Sequence, residues 1–290
     1  MSKYYYLIAG LPALSLDDTK LTYSVAEFKT ELDPVLSDAD KELLRWYFLK
    51  YDQVNLLSYL RKTVAREFDE RGIFSEEDIQ EICHLLETED KVPENVSVPP
   101  YLVKFVRAYY ARFEEAEAAD YRLLEDRLSA LYYDAAMHCK NTFLASWFEM
   151  NLNIGNVMAA LNCYKYGLDK EEYIIGENET ARQLRQSSAR DFNIGSELDY
   201  MSELLQITED PDFMMREKRL DVLRWNWLDE QVFDRTFDIE SVIAYLLRLE
   251  MIERWVLLDK VQGEKTFRQL VTDMKRESSE SLEEFKENNK

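Results

Sequence analysis

The chain has 290 residues, 57 of them acidic and 36 basic, for a formal net charge of −21. It holds only 7 Gly and 6 Pro, where average usage would give roughly 35 of the two together, so it cannot supply the frequent turns of a sandwich, barrel or wound α/β sheet. The acidity excludes a general cationic footprint for nucleic acid or anionic lipid, and 46% apolar with 13% aromatic residues excludes disorder, which leaves an all-α fold of long helices.

At the N-terminus the run Tyr4-Tyr5-Tyr6-Leu7-Ile8-Ala9-Gly10 lacks the long apolar stretch and cleavage site of a secretory leader, and an extended conformation stays open for it. Ser37-x-x-Asp40, Ser75-x-x-Asp78 and Asp169-x-x-Glu172 each place a short oxygen cap three residues ahead of an acid, a pattern that satisfies the unpaired N–H groups of a helix start. The first of these opens a helix with apolar residues Leu43, Tyr47, Val54, Leu57 and Leu60 at helical spacing. Lys91 to Pro100 contains three prolines and reads as an extended linker. Between Tyr101 and Tyr166 there is one Gly and no Pro, which fits two or three helices joined by tight reversals. Thr208 to Asp212 is a second break, with Asp210 suited to cap a helix that begins at Pro211. Glu250 and Arg254 stand four apart with the favourable polarity of an exposed ion pair. The polar tail 277–290 is expected to be a fraying helix or disordered.

Three segments share one pattern. They begin at Asp52, Asn153 and Glu250, 101 and then 97 residues apart, and each has a second polar residue three places on (Asn55, Asn156, Glu253), then a large apolar residue and Leu. After the first two come a Gly and a capped start, Gly72 to Ser75 and Gly167 to Asp169. The spacing suggests three helical units, taken as 1–98, 99–205 and 206–290. A polar pair at i, i+3 is costly to bury without partners, so each pair either holds a neighbouring element in register or faces solvent.

Little in the chain points to catalysis. Glu81-x-x-His84 is one half of a di-iron signature, and no second half accompanies it; His138 has Ala135 at that offset. No phosphate-binding glycine loop and no nucleophile elbow occur. Trp225, Trp227 and Phe233 are expected in a core. Cys83, Cys139 and Cys163 have no close pair, so free thiols in a reducing cytoplasm are expected. No stretch approaches 18 uninterrupted apolar residues, so no membrane span is expected. No catalytic residue, metal ligand or cofactor is assigned.

The segment Phe148-Glu149-Met150-Asn151-Leu152-Asn153-Ile154-Gly155-Asn156-Val157-Met158, with its sequel Gly167 to Glu172, resembles the Asp/Asn-rich helix of the V-type ATPase C/d family, the C-type stalk component known as d in eukaryotes. Ile243 to Trp255 is similar to that family's last motif helix, and Asp52-x-x-Asn55 with Leu60-Arg61 is similar to its first. The Arg after the repeat Leu is present as Arg61 and replaced by Asn162 and Asp259 in the later copies. The chain thus resembles a divergent bacterial member of the family.

That resemblance implies three pseudo-symmetric helical units forming a funnel-like array. It implies a non-enzymatic adaptor between the central axle (the D- and F-like components of the central stalk) and the membrane ring, transmitting torque from the cytoplasmic face. It makes Asp52, Asn55, Arg61, Asn153, Asn156, Glu250 and Glu253 motif positions with a possible place at the interface, and Glu250 with Glu253 a partner-facing stripe. The −21 charge suits docking against basic loops. Two other readings stay open: a helical enzyme with a carboxylate or metal site, and a stand-alone helical protein-binding module.

Overall fold

The computed structural model describes residues 4–61, 67–89, 91–112, 121–189, 191–259 and 261. Among them every regular element is helical: α1 (Tyr5–Gly10), α2 (Val25–Leu32), α3 (Asp38–Leu60), α4 (Glu76–Thr88), α5 (Pro100–Arg112), α6 (Tyr121–Ala136), α7 (Thr142–Tyr166), α8 (Glu179–Gln186), α9 (Met201–Glu209), α10 (Phe213–Gln231) and α11 (239–259), with a single 3₁₀ turn at Lys170–Glu172. The all-α expectation holds. The tail 277–290 lies outside the described residues.

Local chemistry sets most boundaries. Ser37 caps α3 by accepting the Asp40 N–H, and Ser75 with Asp78 forms a reciprocal capping box at α4. Ser24 and Glu27 do the same at α2. Gly167, in the left-handed region at φ 65°, closes α7. Three helices, α5 to α7, fill the Tyr101–Tyr166 stretch, and 91–99 is non-helical as expected.

Four local expectations are corrected. The N-terminal run is helical: a strand needs a neighbouring edge, none exists among the described residues, and a helix satisfies its own backbone from Ile8 N–H to Tyr4 O (3.0 Å) onward. Asp169 caps only the 3₁₀ turn, giving its carboxylate to Glu171 N–H. Asp210 does not cap α10, because its carboxylate takes the Asp212 N–H in a local turn; Asp212 is the cap, accepting from Met214 N–H at 2.8 Å. Trp225 and Trp227 rest against the core, but Phe233, just past the end of α10, is 91% exposed.

Two apolar cores lie along the chain. The first joins α2 to α6, the start of α7 and α11, and the second joins the rest of α7 to α8, α9 and α10. The division falls inside α7, between Phe148 and Met150, so breaks in apolar packing do not coincide with the expected boundaries at 98 and 205. Three long helices are buried on nearly every side: α3, α7 and α11. These are the helices that carry the three repeat segments.

Candidate functional site

In each repeat at least one member of the polar pair holds the chain just before, or at the start of, a capped helix. In the first copy Asn55 clamps the backbone of Asp69, accepting its N–H and donating to its C=O, both at 2.9 Å. Asp52, 1% exposed, accepts from the N–H groups of Ile73 and Phe74, directly ahead of the Ser75 cap of α4. A Cβ at position 72 would overlap the Asp52 carboxylate, so Gly72 is required by that close approach.

The second copy works the same way. Asn156 clamps the backbone of Ile175 with two bonds of 2.8 and 2.9 Å. Asn153 accepts from the side chain of Asn178, which caps α8. The partner segment is therefore Ile175–Asn178, and the Gly167–Asp169 sequel expected from the sequence is instead the end of α7 and the cap of the 3₁₀ turn.

In the third copy the partner comes from the other end of the chain. Glu253 accepts the Val25 N–H at 2.8 Å, at the first residue of α2, and takes Arg71 Nη1 at 3.0 Å. A carboxylate at that point both satisfies an otherwise unpaired N–H and favours the helix dipole. Glu250 pairs with Lys50 and accepts from the Tyr51 hydroxyl at 3.0 Å. The expected Glu250–Arg254 pair is not formed, and neither glutamate forms a solvated stripe. Lys50 on α3 is the nearer cation, and Arg254 is drawn to Glu217 and Asp221 on α10. Arg61 is exposed at the end of α3, away from these contacts.

A cavity of about 580 Å³ opens among α3, α6, α7, α10 and α11. One wall is the Lys50–Glu250 pair with Tyr47 and Tyr51; the Lys50 ammonium sits 4.0 Å from the Tyr47 ring centre, and the Arg71 guanidinium 4.2 Å from that of Tyr51. The facing wall is built on Asp221, 1% exposed, which accepts from Arg224 Nη1 (3.0 Å), Trp255 Nε1 (2.8 Å) and Arg254. Arg224 also donates to Asn151 Oδ1 at 2.9 Å. Tyr132, Trp147 and Phe148 supply apolar surface between the walls.

Burial shapes the charges. It pushes the Tyr47 and Tyr51 phenols far above their ordinary value, with the Glu250 charge adding to the effect, so both stay protonated as donors. Burial also opposes ionisation of Glu250, but the Lys50 charge and the hydrogen bonds outweigh it and hold the carboxyl below the usual glutamate value. The Asp52 carboxyl is pushed up to about 6 by burial, against the pull of the Ile73 and Phe74 N–H groups and the charges of Lys29 and Arg45. The cavity wall is thus a set of engaged ion pairs that fixes helix positions. Glu81 and His84 both face solvent on α4, and among the described residues no group of three His, Cys, Asp or Glu gathers as a metal site.

Sequence reasoning missed Lys50, Arg71, Asp221 and Arg224, and gave Arg254 the wrong partner. A signal for Asp221 and Arg224 exists: both interrupt the apolar run Leu220-Asp221-Val222-Leu223-Arg224-Trp225 three residues apart, a place where buried charge has to be paired. For Arg71 the near partner Asp69 was visible two residues away, but the cross-chain partner Glu253 stands 182 residues away and left no signal.

No curated protein and no solved structure matches the chain. A family model described as "Protein of unknown function (DUF2764)" matches residues 1–278, and the chain belongs to that family.

Proposed function

We propose that the chain is a non-catalytic adaptor of the V-type ATPase C/d kind, joining the central axle to the membrane ring at its cytoplasmic face and transmitting torque between them. One observation carries the reading beyond the sequence resemblance. One member of each polar pair, a hundred or so residues apart, holds the entry to a capped helix: Asp52 at α4, Asn153 at α8 and Glu253 at α2. A polar contact at a helix entry that recurs in three copies, from the first pair member at α4 and α8 and from the second at α2, supports three pseudo-symmetric units arranged as a funnel-like array. The third unit is then completed by a helix from the N-terminal end.

The cavity between the motif helices is the natural socket in that arrangement, since α3, α7 and α11 all border it. Its paired charges suit rigidity, which a torque-bearing coupling needs. The acidic exterior suits basic loops on a membrane ring.

Affinity purification of the tagged chain from native membranes at physiological salt is expected to bring axle and ring proteins in fixed ratio. A chain that purifies from intact membranes free of both would overturn the adaptor reading. The purified chain alone is expected to hydrolyse no nucleotide, and a turnover rate that follows it through gel filtration would favour an enzyme instead.

A further inference from the structure

The cavity among α3, α6, α7, α10 and α11 has an apolar lip that the ion pairs of its walls leave uncovered. Leu257, Leu258 and Val261, on the last described turns of α11, border its mouth and are between 44 and 65% exposed. Three such side chains on one lip make a patch rather than scattered apolar surface. Along α11 the cavity is bordered from Leu247 to Val261, a length of about 21 Å at the helical rise per residue.

The chain itself supplies a segment that matches this lip. It runs on past Val261, and between Glu264 and Arg276 it places Phe267, Leu270, Val271 and Met274 at i, i+3, i+4 and i+7. That is the anchor spacing of a helix laid into a groove. Thirteen residues at the helical rise span about 20 Å, the length of the α11 border. Lys265, Arg268, Lys275 and Arg276 outnumber Glu264 and Asp273, so the segment is a cationic stretch in a chain of net charge −21. Its flanks suit a rim where Glu217, held by Arg254, is half-exposed and Glu250 partly so. Gln262 and Gly263 leave a connection of the two to five residues that join antiparallel helices.

We propose that the chain's own segment 264–276 docks across the mouth of this cavity, antiparallel to α11. Phe267 and Leu270 would lie on Leu257, Leu258 and Val261, and Val271 and Met274 would continue toward Tyr133 on the α6 side. Any partner that enters the cavity then has to displace the segment first. A second copy is a poorer occupant, because two chains of net charge −21 repel while a tethered segment acts at an effective concentration in the millimolar range. The inference does not rest on the adaptor reading, since it concerns the chain alone.

The test uses the full chain carrying the photo-reactive substitution Met274→p-benzoylphenylalanine, irradiated and then digested for mass spectrometry. Docking is expected to cross-link position 274 to Tyr133 or to the α11 turn Glu250–Arg254 of the same chain. A segment that prolonged α11 instead would carry position 274 about 20 Å beyond Val261, out of reach of both. Leu258→Asp and Leu270→Asp, one on each side of the contact, are each expected to lower the cross-link yield about tenfold. Circular dichroism is expected to show unchanged helix content in both, since Leu258 is exposed and position 270 lies outside the two cores. The proposal fails if position 274 cross-links elsewhere or not at all, or if either substitution leaves the yield unchanged. Cross-links between isotopically light and heavy chains in a mixed sample would assign the mouth to a second copy and overturn it likewise.

Discussion

The N–H of Val25 and the carboxylate of Glu253, 228 residues apart, share a 2.8 Å hydrogen bond that ties the first turn of α2 to α11. Glu253→Ala is expected to leave a buried N–H unsatisfied and to strip Arg71 of one of its two carboxylates. The combined cost is about 3 kcal/mol. Glu253→Gln keeps an acceptor and should cost about half as much. Urea unfolding followed by circular dichroism measures both; an alanine variant with the wild-type midpoint would show that the clamp contributes nothing.

Glu250 makes the fold sensitive to acid. Its carboxyl is held below the usual glutamate value in the folded chain, so its contribution is present above that value and is lost as the pH falls through the lowered one. Glu250→Lys, which sets two ammonium groups against each other beside Tyr47, should cost on the order of 3 kcal/mol. Lys50→Glu in the same chain should recover more than half of that by restoring opposite charges. Melting curves of both singles and the double variant decide this, and additive losses would mean that the two side chains are not coupled.

The two asparagine clamps predict matched energetics. Asn55→Ala and Asn156→Ala each remove two hydrogen bonds to the backbone of a connecting segment, so each should lower stability by about 2–3 kcal/mol. Because one holds the entry to α4 and the other the entry to α8, the double variant should lose the sum to within about 0.5 kcal/mol. A clamp whose removal costs under about 0.5 kcal/mol would break the functional parallel between the copies.

Asp52 titrates in the opposite sense from Glu250. With its carboxyl pushed up to about 6, its contribution is fully present below the ordinary value near 3.8 and falls as the pH rises through 6. The fall is about 3 kcal/mol at most, and Asp52→Asn should flatten the stability profile between pH 4 and pH 7. Gly72→Ala forces a methyl group onto the same carboxylate and should cost about 1–3 kcal/mol, with part of the loss recovered in an Asp52→Ala background. Equal losses from Gly72→Ala in both backgrounds would show that the clash is not with Asp52.

Helix content and most starts were legible because they depend on near neighbours. Scarce Gly and Pro, the Ser37 and Ser75 caps and the reversal between α6 and α7 all act within a few residues. The polar pairs were legible as a spacing, and their burial was not, since a glutamate that faces solvent and one that caps a distant helix look alike until the partner is known. Glu250 shows the failure clearly. Arg254 is four residues away in sequence, while Lys50, 200 residues away, lies closer in space. The second-copy sequel was misplaced for a related reason: Gly167 matches Gly72 in the letters, but the glycine that precedes the Asn178 cap is Gly176, left-handed and packed against Leu152.

A ribosome adding about 5–20 residues per second needs roughly 10–50 seconds to make the 228 residues that separate Val25 from Glu253. Throughout that interval Val25 and Phe28, both buried in the finished protein, lack their α11 partners Glu253 and Tyr245. The opening stretch of the polypeptide therefore waits, sticky side outward, for the closing one. Nascent chains stalled before residue 239 should be bound by chaperones through α2 and lost to aggregation without them, so the solubility of the first thirty residues is decided by the last fifty.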